Sequence, residues 1–300
     1  MISLDAAALR GSYPPLVTPF RDGAVDVDAF VSLVDRQVGA GSHGILVCGT
    51  TAEPSTLTIA ERVLLLREAV RAVRGRLPIV AAVGSQSHAE TLELVRAAER
   101  DGADALLVVT PYYVRPPQRG LVEYFVDLAG RTALPLLVYH IPGRTAVEMP
   151  VETFERIAER APNLVGVKHA SPDVNLVTKL RLRLGEEFRV FVGLEDLSLP
   201  MLAVGAAGLM NAVGNLVPGK VAALCEHVAG GRLAEARALH DDLFELNQAV
   251  FLDTNPIPLK YMMRRLGLLA ANEHRLPMVA ATPELEARLD GVLARAGLVA

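Results

Sequence analysis

The chain has 300 residues, of which 51% are hydrophobic and 21% charged, and its formal net charge is -4. This composition is too apolar for an intrinsically disordered protein. Interspersed charges with a slight acidic excess do not provide the basic surface of a nucleic-acid-binding protein, so no nucleic-acid partner is expected.

Two cysteines, Cys48 and Cys225, lie in apolar surroundings, which indicates buried thiols rather than a disulfide framework. Residues 1–10 contain no basic region followed by an apolar core, so no secretory signal is expected. Apolar stretches are interrupted well short of the roughly 20 residues that a membrane helix needs. We therefore expect a cytoplasmic protein without a membrane partner.

Short apolar runs alternate with longer amphipathic segments along the chain. Because the runs are continuously apolar, they are expected to be parallel strands covered on both faces. The predicted strands are Pro15–Thr18, Gly44–Cys48, Ile79–Val83, Ala105–Val109, Leu136–His140, Leu164–Lys168, Arg189–Val192 and Gly208–Ala212. The helical patterns between and after them include Asp26–Ala40, Thr58–Val73, His88–Asp101, Pro150–Ala161 and Pro218–Ala229.

Eight such strand–helix units predict a (β/α)8 TIM barrel over residues 1–230. Residues 231–300 contain further helical patterns, Leu233–Phe251, Pro256–Leu266 and Pro283–Arg295, and no linker precedes them. They are expected to form a C-terminal helical extension of the same domain. The alternative is an open doubly wound sheet, but no Gly-x-Gly-x-x-Gly motif follows any predicted strand.

Barrel enzymes carry their reactive residues at the carboxyl ends of the strands. Lys168 ends the sixth predicted strand, after Leu164-Val165-Gly166-Val167. Desolvation there disfavours an ammonium group and lowers its pKa, which suits an amine that forms an imine. The alternative is a structural lysine whose ammonium group extends into solvent.

Other strand ends carry groups that suit the binding of a small acid. The turn Gly49-Thr50-Thr51 offers two hydroxyls and closely spaced backbone N–H groups to a carboxylate, although such a turn can also cap the next helix. Tyr139 is placed to transfer protons, or it is a half-buried structural tyrosine. Arg144 is suited to binding a carboxylate through its planar guanidinium group, or it is a surface arginine.

No metal site is expected from the sequence. There is no His-Glu-x-x-His motif and no cysteine pair at ligand spacing. His140 and His169 end neighbouring predicted strands, but they lack evident carboxylate partners for a metal ion. No cofactor is expected either.

Taken together, these strand ends resemble the dihydrodipicolinate synthase / N-acetylneuraminate lyase family of class I aldolases. The resemblance extends from Pro15-Leu16-Val17-Thr18-Pro19-Phe20 to Arg275-Leu276-Pro277, which is nearly the whole chain. It implies a TIM barrel with a C-terminal helical extension, a Schiff base with pyruvate, and assembly as a homotetramer built from dimers.

The resemblance also implies roles for individual residues. Lys168 matches the Schiff-base lysine, and Thr50, Tyr139 and Tyr113 match a proton relay in which Tyr113 reaches across a dimer interface. Thr51 would bind the pyruvate carboxylate, and Arg144 would bind the carboxylate of the second substrate. The implied substrate-binding set is Thr51, Gly49, Arg144, Gly193, Met210, His140 and Asn211.

The sequence departs from the family pattern on one side of the expected pocket. Ala52 replaces the second glycine of the Gly-Thr-Thr-Gly-Glu turn, and His140 and His169 replace an asparagine and a glutamate. Asn211 replaces a serine, and Pro172 replaces a glycine. The pyruvate side matches, so these changes indicate the shared half-reaction with a possible change in the second substrate.

Several functions follow from this pattern as hypotheses. The first is a synthase that condenses pyruvate with aspartate semialdehyde. The alternative is a catabolic aldolase or dehydratase for a 2-keto-3-deoxy sugar acid or an acidic 2-keto-4-hydroxy compound, which His140, His169 and Asn211 favour. From other classes come a non-catalytic keto-acid sensor and a metal-dependent aldolase. The partners are then pyruvate and a small aldehyde or 2-keto acid, and the sequence leaves the second substrate, the direction of reaction, the choice between dimer and tetramer, and any allosteric ligand open.

Overall fold

The computed structural model describes Asp5 and residues 8–299. Its central feature is one sheet of eight parallel strands. These strands are β1 (Gly11–Ser12), β2 (Ile45–Val47), β3 (Ile79–Ala82), β4 (Ala105–Val109), β5 (Leu136–His140), β6 (Leu164–His169), β7 (Arg189–Val192) and β8 (Gly208–Leu209).

The sheet closes into a barrel. Each strand from β2 to β8 pairs with its neighbour in the chain, and β8 pairs with β1. A bridge between Pro15 and Leu46 joins the segment after β1 to β2: Leu46 N–H donates to Pro14 O, and Leu16 N–H donates to Leu46 O, each over 3.0 Å. The predicted (β/α)8 architecture is thereby confirmed.

The first strand lies earlier in the chain than predicted. The prediction was Pro15–Thr18, whereas the ladder of β1 is formed by Gly11–Ser12 and only the Pro15 bridge continues it. Pro14 and Pro15 have no N–H to donate, so a regular ladder cannot run through them. A hairpin of Phe20–Arg21 and Ala24–Val25 was also missed, although its Asp22-Gly23 turn is a common hairpin signal.

Helices cover the outside of the barrel. They are α1 (Val27–Gly39), α2 (Ile59–Val73), α3 (His88–Arg100), α4 (Gln118–Ala129), the single turn α5 (Pro142–Thr145), α6 (Val151–Ala158), α7 (Val174–Leu184), α8 (Ser198–Ala203) and α9 (Pro218–Ala229). Thr58 caps α2 in a capping box with Glu61, as its sequence predicts.

Three further helices follow the barrel: α10 (Leu233–Ala249), α11 (Ile257–Arg265) and α12 (Pro283–Arg295). Helix α10 packs on α9, and α11 packs on α12 and on the 3-10 turn Ala212–Asn215 that follows β8. The described residues include no helix that is both long and apolar enough to cross a membrane.

The core has two layers. The outer layer lies between strands and helices and includes Phe30, Phe125 and Phe154. The inner layer fills the barrel, as expected when alternate residues of each strand point inward. Its members include Tyr13, Leu46, Val80, Leu107, Leu137, Tyr139, Val165, Phe191 and Met210.

A bulge between β5 and β6 sets the register of the site. Leu136 pairs with Leu164, but Leu137 pairs with Gly166, so Val165 is an extra residue on β6. After this shift Tyr139 lies opposite Lys168. A Cβ atom at Gly166 would lie 2.2 Å from the carbonyl oxygen of Arg189, so only glycine fits this position between β6 and β7.

Candidate active site

The amine of Lys168 lies inside the mouth of the barrel. The residue is 4% exposed, and its Nζ atom lies 4.4 Å from the ring centroid of Tyr139 on the adjacent strand. A Cβ atom at Gly193 would lie 2.9 Å from Lys168 Cε, so the glycine after β7 leaves the space that the lysine side chain occupies. Gly193, which the resemblance assigns to the pyruvate pocket, therefore lies beside Lys168.

Tyr139 connects the lysine to the threonine-rich turn. Its hydroxyl lies 3.3 Å from Thr50 Oγ1, which is the distance of a hydrogen bond in which Thr50 is the donor. The structure thus brings Lys168, Tyr139 and Thr50 together, as the sequence predicted for three strand ends that are far apart in the chain.

The turn has a well-defined backbone. Gly49 precedes a 3-10 turn, Thr50–Ala52, and the turn ends at Glu53 in the left-handed conformation with a φ of 56°. Ala52 is not among the residues with positive φ, so the alanine that replaces the family's glycine costs no backbone strain. The carbonyl oxygen of Ala52 accepts a hydrogen bond from Thr18.

Residues of the extension hold the same turn. Asn255 Nδ2 donates to Thr51 Oγ1 over 3.0 Å. Lys260 Nζ lies 2.9 Å from Glu53 Oε1, and His274 Nδ1 lies 3.0 Å from Glu53 Oε2. Burial lowers the pKa of Lys260, and the Glu53 carboxylate opposes this effect. Sequence reasoning missed these residues, because nothing near them in the chain marks their partners.

A cavity of about 710 Å³ opens at this end of the barrel. Its wall contains Gly49, Thr50, Tyr139 and Asn255, with the exposed Arg144 from α5. The predicted turn, phenol and guanidinium therefore face one space that is large enough for two small substrates. Met210 is buried in the inner layer of the barrel, to which Tyr139 also belongs.

Tyr113 lies apart from this group in its own protomer. Its side chain is 88% exposed, and its φ of 72° lies in the left-handed region. The preceding Tyr112 lines the cavity instead. A relay that includes Tyr113 therefore needs a second copy of the chain.

His140 and His169 lie on the outer face of their strands, because they follow the inward-pointing Tyr139 and Lys168. Both are buried, and their rings stack with centroids 5.4 Å apart. The backbone N–H of Met149 donates to His140 Nε2 over 3.2 Å. Glu148 Oε2 also lies 3.1 Å from His140 Nε2. Because the Asp173 carbonyl oxygen can only accept from His169 Nε2, His169 Nδ1 is an acceptor and the proton of neutral His140 lies on Nδ1, 3.2 Å away.

The chain of hydrogen bonds continues from His169 Nε2 to the carbonyl oxygen of Asp173 over 2.9 Å. Two neutral imidazoles therefore link the loop after β5 to the loop after β6. His140, which we expected to contact substrate, is instead bonded to Met149 and His169. Burial and the neighbouring His169 lower its pKa to about 4.

A buried carboxyl lies at the end of β7. Glu195 accepts a hydrogen bond from the backbone N–H of Ala212. Burial raises its pKa to about 7, although this bond and the charge of Lys168 act in the opposite direction. Asn211 donates to Ser198 Oγ over 2.6 Å. We expected Asn211 to bind substrate, whereas the bond seen here ties the end of β8 to α8.

Among the described residues, no three His, Cys, Asp or Glu side chains are grouped as a metal site. The fold and the site together define a (β/α)8-barrel enzyme of the lyase class.

The chain belongs to the dihydrodipicolinate synthetase family, whose model matches residues 8–296. A 4-hydroxy-tetrahydrodipicolinate synthase of Thermus thermophilus is 47% identical over 292 residues, which is 97% of each chain. The crystal structure of dihydrodipicolinate synthase from Aquifex aeolicus is 38% identical, with a TM-score of 0.94 over 96% of this chain and 98% of that one.

A third similar protein is the chloride-inhibited dihydrodipicolinate synthase of Acinetobacter baumannii, crystallised with pyruvate. It is 33% identical, with a TM-score of 0.94 over 97% of this chain and 100% of that one. The family resemblance inferred from the strand ends is thereby confirmed.

The buried histidines predict a loss of stability in mild acid. The folded chain holds His140 neutral down to a pH of about 4, whereas the unfolded chain takes up a proton near its ordinary pKa of 6.5. The contribution of His140 to the free energy of unfolding is therefore constant above pH 6.5. It falls from there toward pH 4, by at most about 1.4 kcal/mol per pH unit.

Urea unfolding at fixed protein concentration, at pH 7 and pH 5, measures this loss. His140→Asn, which cannot take up the proton, is expected to show a smaller loss of midpoint than the wild type. His227→Asn, a change at a partly exposed histidine of α9, is the matched control. Equal losses in the His140→Asn protein and the wild type would contradict the assignment.

Proposed function

We propose that this protein is a 4-hydroxy-tetrahydrodipicolinate synthase, which condenses pyruvate with aspartate semialdehyde through a Schiff base on Lys168. One observation carries the proposal: the Lys168 amine lies over the Tyr139 ring, and the Tyr139 hydroxyl lies beside Thr50. The names of relatives that align with nearly the whole chain agree with it.

The first half-reaction uses the inner part of the site. The Lys168 amine attacks C2 of pyruvate, and loss of water gives a protonated imine. Thr51 and the backbone of Gly49 bind the pyruvate carboxylate, and Gly193 and Met210 form the opposite wall. Loss of a methyl proton, carried away by way of Tyr139, leaves an enamine.

The second half-reaction uses the cavity. The enamine carbon attacks the aldehyde carbon of the second substrate, and the aldehyde oxygen takes up a proton. Tyr139 and Thr50 provide the route for that proton, with Tyr113 of a partner subunit as its outer member. The amino group of aspartate semialdehyde then attacks C2, which closes the ring and releases Lys168.

Arg144 is the residue that we assign to the carboxylate of the second substrate. It is exposed in the cavity wall, and a guanidinium group binds a carboxylate with two parallel hydrogen bonds. A catabolic aldolase acting on a sugar acid is the second candidate. His140 and His169, which favoured it, point away from the cavity, and the Asn211 amide is bonded to Ser198, so this candidate has less support.

We further propose a homotetramer built from dimers, in which the barrel and extension act as one domain. Tyr113 and the following Val114, which is 63% exposed, form an apolar tip that is suitable for insertion into a partner. We propose a reducing, cytoplasmic setting, because Cys48 and Cys225 are free and buried.

The imine is tested directly by mass spectrometry. After incubation with pyruvate and borohydride, the wild-type protein is expected to gain one reduced pyruvate adduct, and Lys168→Ala none. Lys179→Ala, which changes a lysine of α7, is the matched control and should gain the adduct. Absence of an adduct on folded wild-type protein would contradict the proposed function.

Arg144→Ala is expected to raise KM for aspartate semialdehyde by about 10-fold to 100-fold, since a hydrogen bond to a charged group contributes about 1.5–3 kcal/mol. Formation of the pyruvate imine should remain normal, because Arg144 does not contact Lys168. Steady-state kinetics and borohydride trapping separate the two steps. An unchanged KM would remove Arg144 from the second-substrate site, and Arg131→Ala is the control.

The role of Tyr113 predicts complementation between two inactive variants. Lys168→Ala and Tyr113→Ala proteins are each expected to lose most activity. After unfolding and refolding together, about one quarter of the sites should be active, because each mixed dimer of a two-fold symmetric pair contains one complete site. No recovery in demonstrated mixed dimers would show that Tyr113 does not cross the interface.

A further inference from the structure

The C-terminal extension reaches the pocket through one asparagine. Asn255 precedes α11 and lies outside the eight strand–helix units, yet its side chain is 7% exposed and lines the cavity. Its Nδ2 atom donates a hydrogen bond to Oγ1 of Thr51, which is itself only 2% exposed. The two residues are 204 positions apart in the chain.

This bond determines what the Thr51 hydroxyl can do. A threonine hydroxyl has one hydrogen to donate and accepts through its lone pairs. In this bond the Asn255 amide donates and the Thr51 oxygen accepts, so the bond does not use the hydrogen of the Thr51 hydroxyl. No hydrogen bond donated by the Thr51 hydroxyl occurs among the described residues, so its hydrogen is not used by a protein acceptor there.

A second contact fixes the same turn from the same extension. Glu53, two residues after Thr51, has a left-handed backbone and a fully buried carboxylate. Lys260, on α11, forms an ion pair with it, and the Lys260 side chain is itself fully buried. A left-handed conformation is strained for a non-glycine residue and persists only where its surroundings hold it. The extension supplies that support.

We propose that Asn255 is a positioning residue that orients the Thr51 hydroxyl as a donor to the carboxylate of the keto acid. The Lys260–Glu53 ion pair holds the turn in the conformation that this contact needs. The proposal rests on the proposed function, because it assigns a keto-acid carboxylate to the Gly49-Thr50-Thr51 turn. It makes the extension a part of the pyruvate site.

Replacement by aspartate tests the direction of the bond. In Asn255→Asp an ionised carboxylate accepts the Thr51 hydrogen and repels the substrate carboxylate. We expect the pyruvate concentration that gives half-maximal borohydride-trapped adduct to rise more than about 10-fold at pH 8, the effect of losing roughly 1.4 kcal/mol or more. At pH 6 the defect should shrink, because a protonated carboxyl group can donate as the amide does.

Asn255→Ala should raise the same half-saturation value by about three- to tenfold, because the orienting donor is lost without a new charge. At saturating pyruvate, kcat should stay within about twofold in both variants, since a lost ground-state contact changes KM rather than kcat. Asn163→Ala is the matched control: Asn163 is also 7% exposed, and it bonds only backbone carbonyl groups near the amino ends of β5 and β6.

A double-mutant cycle with Thr51→Val keeps the test decisive if the aspartate variant does not fold. If Asn255 acts through Thr51, Asn255→Ala should change half-saturation little in the Thr51→Val protein. Additive effects, or wild-type pyruvate dependence in folded Asn255 variants, would overturn the proposal. Absence of any adduct on the wild type would instead overturn the proposed function.

Discussion

The pairing of β5 with β6 is the constraint on which the site depends. Because side chains alternate between the two faces of a strand, a slip of one residue exchanges inside for outside. Without the extra Val165, Tyr139 would lie opposite Val167 rather than Lys168. The bulge therefore places the amine and the phenol side by side in the barrel, and Gly166 allows β7 to lie close beside the shifted strand.

The same register explains the histidine pair. If Tyr139 and Lys168 point inward, His140 and His169 must point outward, where solvent is excluded by Phe154 of α6. A pair of imidazoles in that place is stable only when both are neutral and hydrogen-bonded. Met149 and Asp173 supply the outer partners. The two strand ends are thus tied together behind the reactive residues, in the loops that also carry Arg144.

Sequence reasoning found the residues that belong to strand ends, because the continuously apolar runs between amphipathic segments locate those ends and barrel geometry brings them together. It identified Lys168 and Tyr139 in this way. It could not find Asn255 or Lys260, since their partners lie 204 and 207 positions away and an asparagine before a proline has no distinctive pattern. It also assigned His140 to the pocket, because facing direction depends on a register that the apolar pattern does not reveal.

These contacts change how the departures from the family pattern are interpreted. His140 and Asn211 were expected to bind substrate, and His169 was expected on the acceptor side of the pocket, yet each bonds to protein groups behind the site. These bonds hold the loops after β5 and β6 and the end of β8. The loop after β5 carries Arg144, and its far end is bonded to His140 at Met149. A guanidinium group binds a carboxylate with strict geometry, so under our proposal that Arg144 binds the second substrate, the outer histidine pair acts on that substrate by setting where the loop lies.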